Sequence, residues 1–228
     1  MDIKKAIVFL LAGISYTIFF KICGFIIPDI STSIYIGQTN YIFLLFVGLS
    51  FILFGLYFIK EVVGKNHIKL KVSVYLAMSG PAFFMLIHLS NIIRLSNKLS
   101  LKVYDLSPFL HNLIIANNFK PLHQIVILLS AIFIFNFFYV LYKNLSTENK
   151  DLKTINFILL IGFAFTVMFR SFSVVIYFLF PNSSLMYHPP MIVYLIGFLI
   201  FLFTSLVSIS FFLKLYRVMD YSKIIRIE

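Results

Sequence analysis

The chain has no tryptophan, one cysteine (Cys23) and eight acidic residues in 228. A single cysteine excludes an intrachain disulfide and leaves the redox compartment unread. Charged residues make up 12% of the sequence, about half the share usual in a soluble domain. The acids are Asp2, Asp29, Glu61, Asp105, Glu148, Asp151, Asp220 and Glu228, all between or beside the long apolar runs and never inside one. That excludes paired intramembrane carboxylates and the acidic relay expected of a proton-coupled transporter. No glycine-rich phosphate cradle occurs either. These absences argue against an enzyme with a local catalytic signature.

What is present is apolar: 61% of residues are hydrophobic, with 29 phenylalanines. The apolar runs do not alternate with polar residues, so they read as helices rather than barrel strands. The fold class is all-α, a polytopic integral membrane protein. Runs of roughly 20 residues define six transmembrane spans in one domain covering 1–228, at 6–27, 41–59, 72–95, 124–142, 155–180 and 191–213. Pro28, Pro181 and Pro190 stand at run ends; Pro81 alone lies inside one, after Gly80, and predicts a kink. The N-terminal run resembles a signal peptide but is long enough to span, so it is read as a retained helix. In "FKICG", Lys21 sits where a lipoprotein cleavage site carries a small apolar residue.

The net charge is +11, from 19 Lys and Arg. Lys4, Lys5, Lys60, Lys65, Lys69, Lys71, Lys143, Lys150, Lys153, Lys214, Arg217, Lys223 and Arg226 fall on one side of the six spans. Arg94, Lys98, Lys102 and Lys120 fall on the other. Thirteen against four places both termini in the cytoplasm. The excess of positive charge is therefore topological, and no basic stripe is long enough to form a nucleic-acid groove. The segment "SPFLHNLIIANNFKPLH", 107–123, reads as interfacial, re-entrant or, less simply, a seventh span.

One residue breaks the apolar pattern sharply. Arg170 stands near the middle of the fifth run, where a cation costs about 2.5–3.5 kcal/mol on insertion scales. The first, third and fifth spans run in the same direction in this topology. Lys21, His88 and Arg170 then lie about 22–24 Å from the inner boundary, at 1.5 Å per residue. No acid shares that level. An arginine keeps its proton, so water, helix carbonyls, a partner subunit's acid or a bound anion must compensate it. An anion suits the guanidinium fork, which binds carboxylate or phosphate bidentately. Asn91 and Arg94 follow His88 at i+3 and i+6 and extend a polar stripe toward the outer surface. Ser171, Ser173 and Tyr177 could add hydroxyls. Each cation also has a plainer reading: Lys21 and Arg94 as interfacial anchors, His88 as a packing residue, Arg170 as a contact between helices or subunits.

Four histidines, His88, His111, His123 and His188, fall toward the outer side, but their spacing matches no metal-ligand motif. No metal and no cofactor are expected. Thr204, Ser205, Ser208, Ser210 and Asn136 read as hydrogen-bonding helix-packing residues.

"SNIIRLS" (90–96) and "PLHQ" (121–124) resemble the Asn-x-x-Arg and downstream His of exosortases, polytopic cysteine transpeptidases of the outer face. The resemblance covers about 35 residues. It implies catalytic roles for Arg94 and His123, with Cys23 as the only available thiol, although Cys23 lies farther upstream than the family pattern. Four functions therefore stay open. They are a sensor or binding protein for an anionic small molecule or lipid headgroup, an exosortase-like enzyme, an anion transporter or channel, and a subunit of a membrane complex. The partners they imply are the lipid bilayer of the cell membrane, an anionic ligand, and a membrane-protein partner or second copy of the chain.

Overall fold

The computed structural model describes residues 3–26, 47–57, 59–60, 68–98, 119–145, 149–179 and 191–217, all but the short flanks of which are helical. The segments 27–46, 99–118 and 180–190 and the tail 218–228 lie outside the described residues. So do the "MYHPP" turn and most of the segment expected to be interfacial or re-entrant. We label the helices α1 (Ile3–Ile26), α2 (Val47–Tyr57), α3 (Ile68–Lys98), α4 (Phe119–Asn144), α5 (Lys150–Leu179) and α6 (Met191–Arg217). Three are long and apolar enough to cross a membrane, through Ile125–Asn144, Lys150–Ile176 and Leu195–Arg217; Val47–Tyr57 is a shorter apolar helix. The chain is all-helical among the described residues.

The helices begin and end where local chemistry directs. The Asn149 carbonyl accepts the Lys153 amide at 3.0 Å, opening α5 at a residue type favoured there. Asp151 in that first turn accepts a 2.9 Å bond from Lys214 in the last turn of α6. Each charge also sits at the helix end its sign favours. Helix α4 starts at Phe119, five residues before the apolar run, so His123 lies within the helix. Helix α3 continues through Pro81, whose neighbour Gly80 lets α3 approach α4. A Cβ at Gly80 would stand 2.9 Å from the Ser130 Cβ.

Each of α4, α5 and α6 packs on the helix before it, and α6 packs on α1. The α1–α2 contact depends on glycine. A Cβ at Gly13 would come 2.8 Å from the Gly48 carbonyl oxygen, and one at Gly55 would come 2.5 Å from Leu10 Cγ. Close backbone approach of this kind is how helices gain dispersion contact where lipid offers no hydrophobic contrast.

The core lies at one end. It takes Ala6, Ile7 and Leu10 from the start of α1, Leu70, Val74 and Ala77 from that of α3, and Leu152, Leu159 and Leu160 from that of α5. Opposite them are Leu56, Phe137, Phe138, Leu141, Phe211, Phe212 and Leu215, from the C-terminal parts of α2, α4 and α6. Phe138 is its hub, stacked on Phe163 at 5.1 Å and edge-on to Phe211 at 5.9 Å. Helices α1, α3 and α5 therefore run in one direction, α4 and α6 in the other. The basic residues Lys4, Lys5, Lys60, Lys69, Lys71, Lys143, Lys150, Lys153, Lys214 and Arg217 gather at this packed end.

The hydroxyls of Ser73, Ser130, Thr166, Thr204 and Ser208 bond within their own helices. Thr204 donates to the Ile200 carbonyl, Ser208 to Thr204 and Ser210 to Leu206, at 2.7–3.0 Å. A carbonyl one turn back is always within reach, so it takes these donors first. Within the core, a polar contact that crosses between helices is made by Asn156, on α5, whose Nδ2 donates to the Phe138 carbonyl of α4 at 3.1 Å.

Candidate functional site

The two faces of α5 differ sharply. Phe165, Met168, Phe172, Val175 and Leu179 form an exposed apolar stripe, Met168 being 67% exposed. Leu152, Asn156 and Leu159 form the buried face, each no more than 1% exposed. At 100° per residue, Arg170 is displaced by about 180° from the exposed stripe. It lies fourteen residues after Asn156, and two heptads return a helix to within about 40° of the same face. Arg170 therefore occupies the inward face, just past the packed core.

Packing loosens there. From Phe163 onward no described residue of α5 is buried, and on α6 none is buried before Thr204. Arg170 itself is half-buried. Among the described residues, its guanidinium contacts the Phe169 ring, 5.9 Å from the centroid, and no acid reaches it. Ser173, three residues on, donates to the Phe169 carbonyl at 2.9 Å.

The same spacing from buried residues recurs on other helices. Lys21 follows Ile7, and His88 follows Val74, by the same fourteen residues that separate Asn156 from Arg170; Ile7 and Val74 are fully buried. His123 precedes the buried Ser130 by seven and Phe137 by fourteen, and Asn91 follows the buried Ala77 by fourteen.

Contacts between neighbouring helices fix the relative levels. Gly80 against Ser130 puts His88 opposite residue 122 of α4. The bond from Asn156 to the Phe138 carbonyl puts Arg170 opposite residue 124. Gly162 against Thr204 and Gly197 against Phe169 agree in setting Arg170 opposite residue 196 of α6. Lys4, over the Tyr216 ring, sets Lys21 opposite residue 199. Lys21, His88, His123 and Arg170 thus fall within about five residues of one level, some 7–8 Å along the helix axes.

The remaining residues stand differently. Cys23 lies two residues after Lys21, near the end of α1. Arg94 stands about four turns beyond Gly80, well past the level of His123. Sequence reading missed Asn156, although its fourteen-residue spacing from Arg170 was a visible signal. It is 0% exposed, and its Oδ1 has no hydrogen-bond partner among the described residues. No group of three or more potential metal ligands occurs among the described residues.

Comparisons of the chain with protein-family models, with curated proteins and with solved structures return no match. The helices and their register are therefore what bears on function.

Proposed function

We propose that this chain is a multi-pass protein of the cell membrane. It crosses six times with both termini cytoplasmic, and its outer half binds an anionic group. The ligand is a carboxylate or phosphate, carried by a lipid headgroup or by a small solute. The observation that carries this reading is Arg170: an inward, half-buried guanidinium with no acid at its level among the described residues. Lys21, His88 and His123 share that level by register, with Asn91 and Arg94 farther out on α3. Arginine's fork gives the ligand two parallel charge-assisted bonds, and the surrounding positive potential draws it in.

The site is one-sided. Toward the basic end the interior is filled by Phe137, Phe138, Leu159, Phe211 and Phe212, and Ser15 is exposed on the outside of α1. Thr166 and Ser79 bond carbonyls of their own helices. That arrangement supports a binding or sensing role over a path through the membrane.

Native mass spectrometry of the intact chain, wild type against Arg170→Ala, tests the reading. A bound phospholipid lost in the variant identifies a headgroup ligand, and a small bound anion lost identifies a solute. A copurifying protein lost instead makes Arg170 an assembly contact. Equal spectra, with both proteins equally stable, overturn the site. Cys23→Ala separates the exosortase-like alternative, which requires that thiol.

A further inference from the structure

The α5–α6 contact repeats one arrangement at two heights. A Cβ at Gly162 of α5 would stand 3.0 Å from Thr204 Oγ1. One at Gly197 of α6 would stand 3.0 Å from Phe169 Cε1 and 3.1 Å from its Cζ. Each glycine thus faces a side chain of the other helix, and the two contacts lie seven residues apart on both helices. Contacts one heptad apart in one antiparallel register belong to a single packed seam. Phe169 is its outer knob, and Gly197 is the gap in α6 that receives the ring.

The seam ends beside the cation of the fifth run. Arg170 follows Phe169, and its guanidinium carbon lies over the Phe169 ring, 5.9 Å from the centroid. The ring therefore has α6 backbone against its distal edge and a cation over it. Packing against Gly197 limits how the ring can turn, and the ring quadrupole attracts the guanidinium in its turn. An unrestrained arginine must immobilise several rotatable bonds before its fork can take an oxyanion, and fixing the side chain beforehand removes part of that cost. A larger residue at 197 would push the distal edge of the ring, and the ring would carry the guanidinium with it.

We propose that Gly197 is a positioning residue for the anion site. It seats the Phe169 ring against α6, and the ring holds the Arg170 guanidinium in the orientation that receives a carboxylate or phosphate. The inference rests on the anion-binding reading above and adds to it an uncharged residue of a second helix, which acts on the ligand only through Phe169.

The test reads Arg170 directly. The sequence has four arginines, Arg94, Arg170, Arg217 and Arg226, so the full chain isotope-labelled at arginine Nε gives four side-chain NMR signals in an uncharged maltoside detergent. Arg170→Lys assigns the one that matters. Sodium phosphate and dioleoyl phosphatidylglycerol are titrated separately, the first standing for a solute and the second for a headgroup. In wild type the Arg170 signal should shift with one of the two probes. Gly197→Ala should move the free signal toward its position in Phe169→Leu, which has no ring, and each substitution should weaken binding by about two- to tenfold. Adding Gly197→Ala to Phe169→Leu should change neither signal nor affinity further, because the glycine acts through the ring. A role in helix packing alone would instead leave the Arg170 signal in place. A wild-type Arg170 signal that ignores both probes overturns the anion site and this inference with it. A signal that answers a probe but is indifferent to Gly197→Ala, or effects that multiply in the double variant, overturn the positioning role alone. Should Gly197→Ala fail to fold, Phe169→Leu decides, and unchanged affinity there overturns the role given to the ring.

Discussion

Gly13→Ala should loosen the α1–α2 contact, and Gly162→Ala supplies the comparison that isolates the cause. The added Cβ at Gly13 would stand 2.8 Å from the Gly48 carbonyl oxygen and 2.9 Å from the Ile52 amide nitrogen. Both are backbone atoms, so the two helices must move apart by several tenths of an ångström before contact becomes ordinary. At Gly162 the nearest atoms are Thr204 Oγ1 at 3.0 Å and Phe203 Cε1 at 3.3 Å, both in side chains that can adjust. Either substitution gains the same helix propensity, up to about 1 kcal/mol, so that gain cancels in the difference between them. What remains is the overpacking cost, about 1–3 kcal/mol against Gly13→Ala. Reversible unfolding in mixed detergent micelles, followed by circular dichroism, measures both variants against wild type. Equal stabilities, or a more stable Gly13→Ala protein, would refute the close α1–α2 approach.

Other outcomes follow from the same structure. Phe138→Ala removes the hub of the aromatic core and should lower stability by about 3–5 kcal/mol in that unfolding assay. Asn156→Asp places a charge at a fully buried position and should cost about as much or more. Asn156→Leu removes an unsatisfied acceptor along with one hydrogen bond and should stay within about 1.5 kcal/mol of wild type. In a Cys23→Ser background, spin labels at Met168→Cys and Phe172→Cys should be relaxed by lipid-soluble oxygen. A label at Leu159→Cys should be shielded from it, and equal relaxation at all three would contradict the assigned faces of α5.

The helices were legible in the sequence because bilayer thickness and backbone hydrogen bonding leave so few alternatives for a long apolar run. Their ends were less so. The run-based start of the fourth span, 124, agrees with the apolar stretch Ile125–Asn144, while the helix itself begins five residues earlier at Phe119, because a polar first turn carries no hydropathy signal. The hydroxyls of α6 looked available for neighbouring helices, yet local carbonyls took them first. Arg170 stood out from its neighbours on charge alone.

Composition and periodicity therefore determined the helical class, the basic asymmetry and the presence of a cation inside the fifth run. Each of these depends only on the chain's transfer into an apolar solvent, which acts on every segment separately. Tertiary structure decided how the helices pack and at what relative heights, and so set the helix positions of Lys21, His88, His123 and Arg170 near one level. It also paired Asn156 with α4 and seated the lysines on tyrosine rings. Those outcomes depend on contacts between segments far apart in the chain, such as Gly80 against Ser130 and Gly162 against Thr204, and no single run of sequence encodes them.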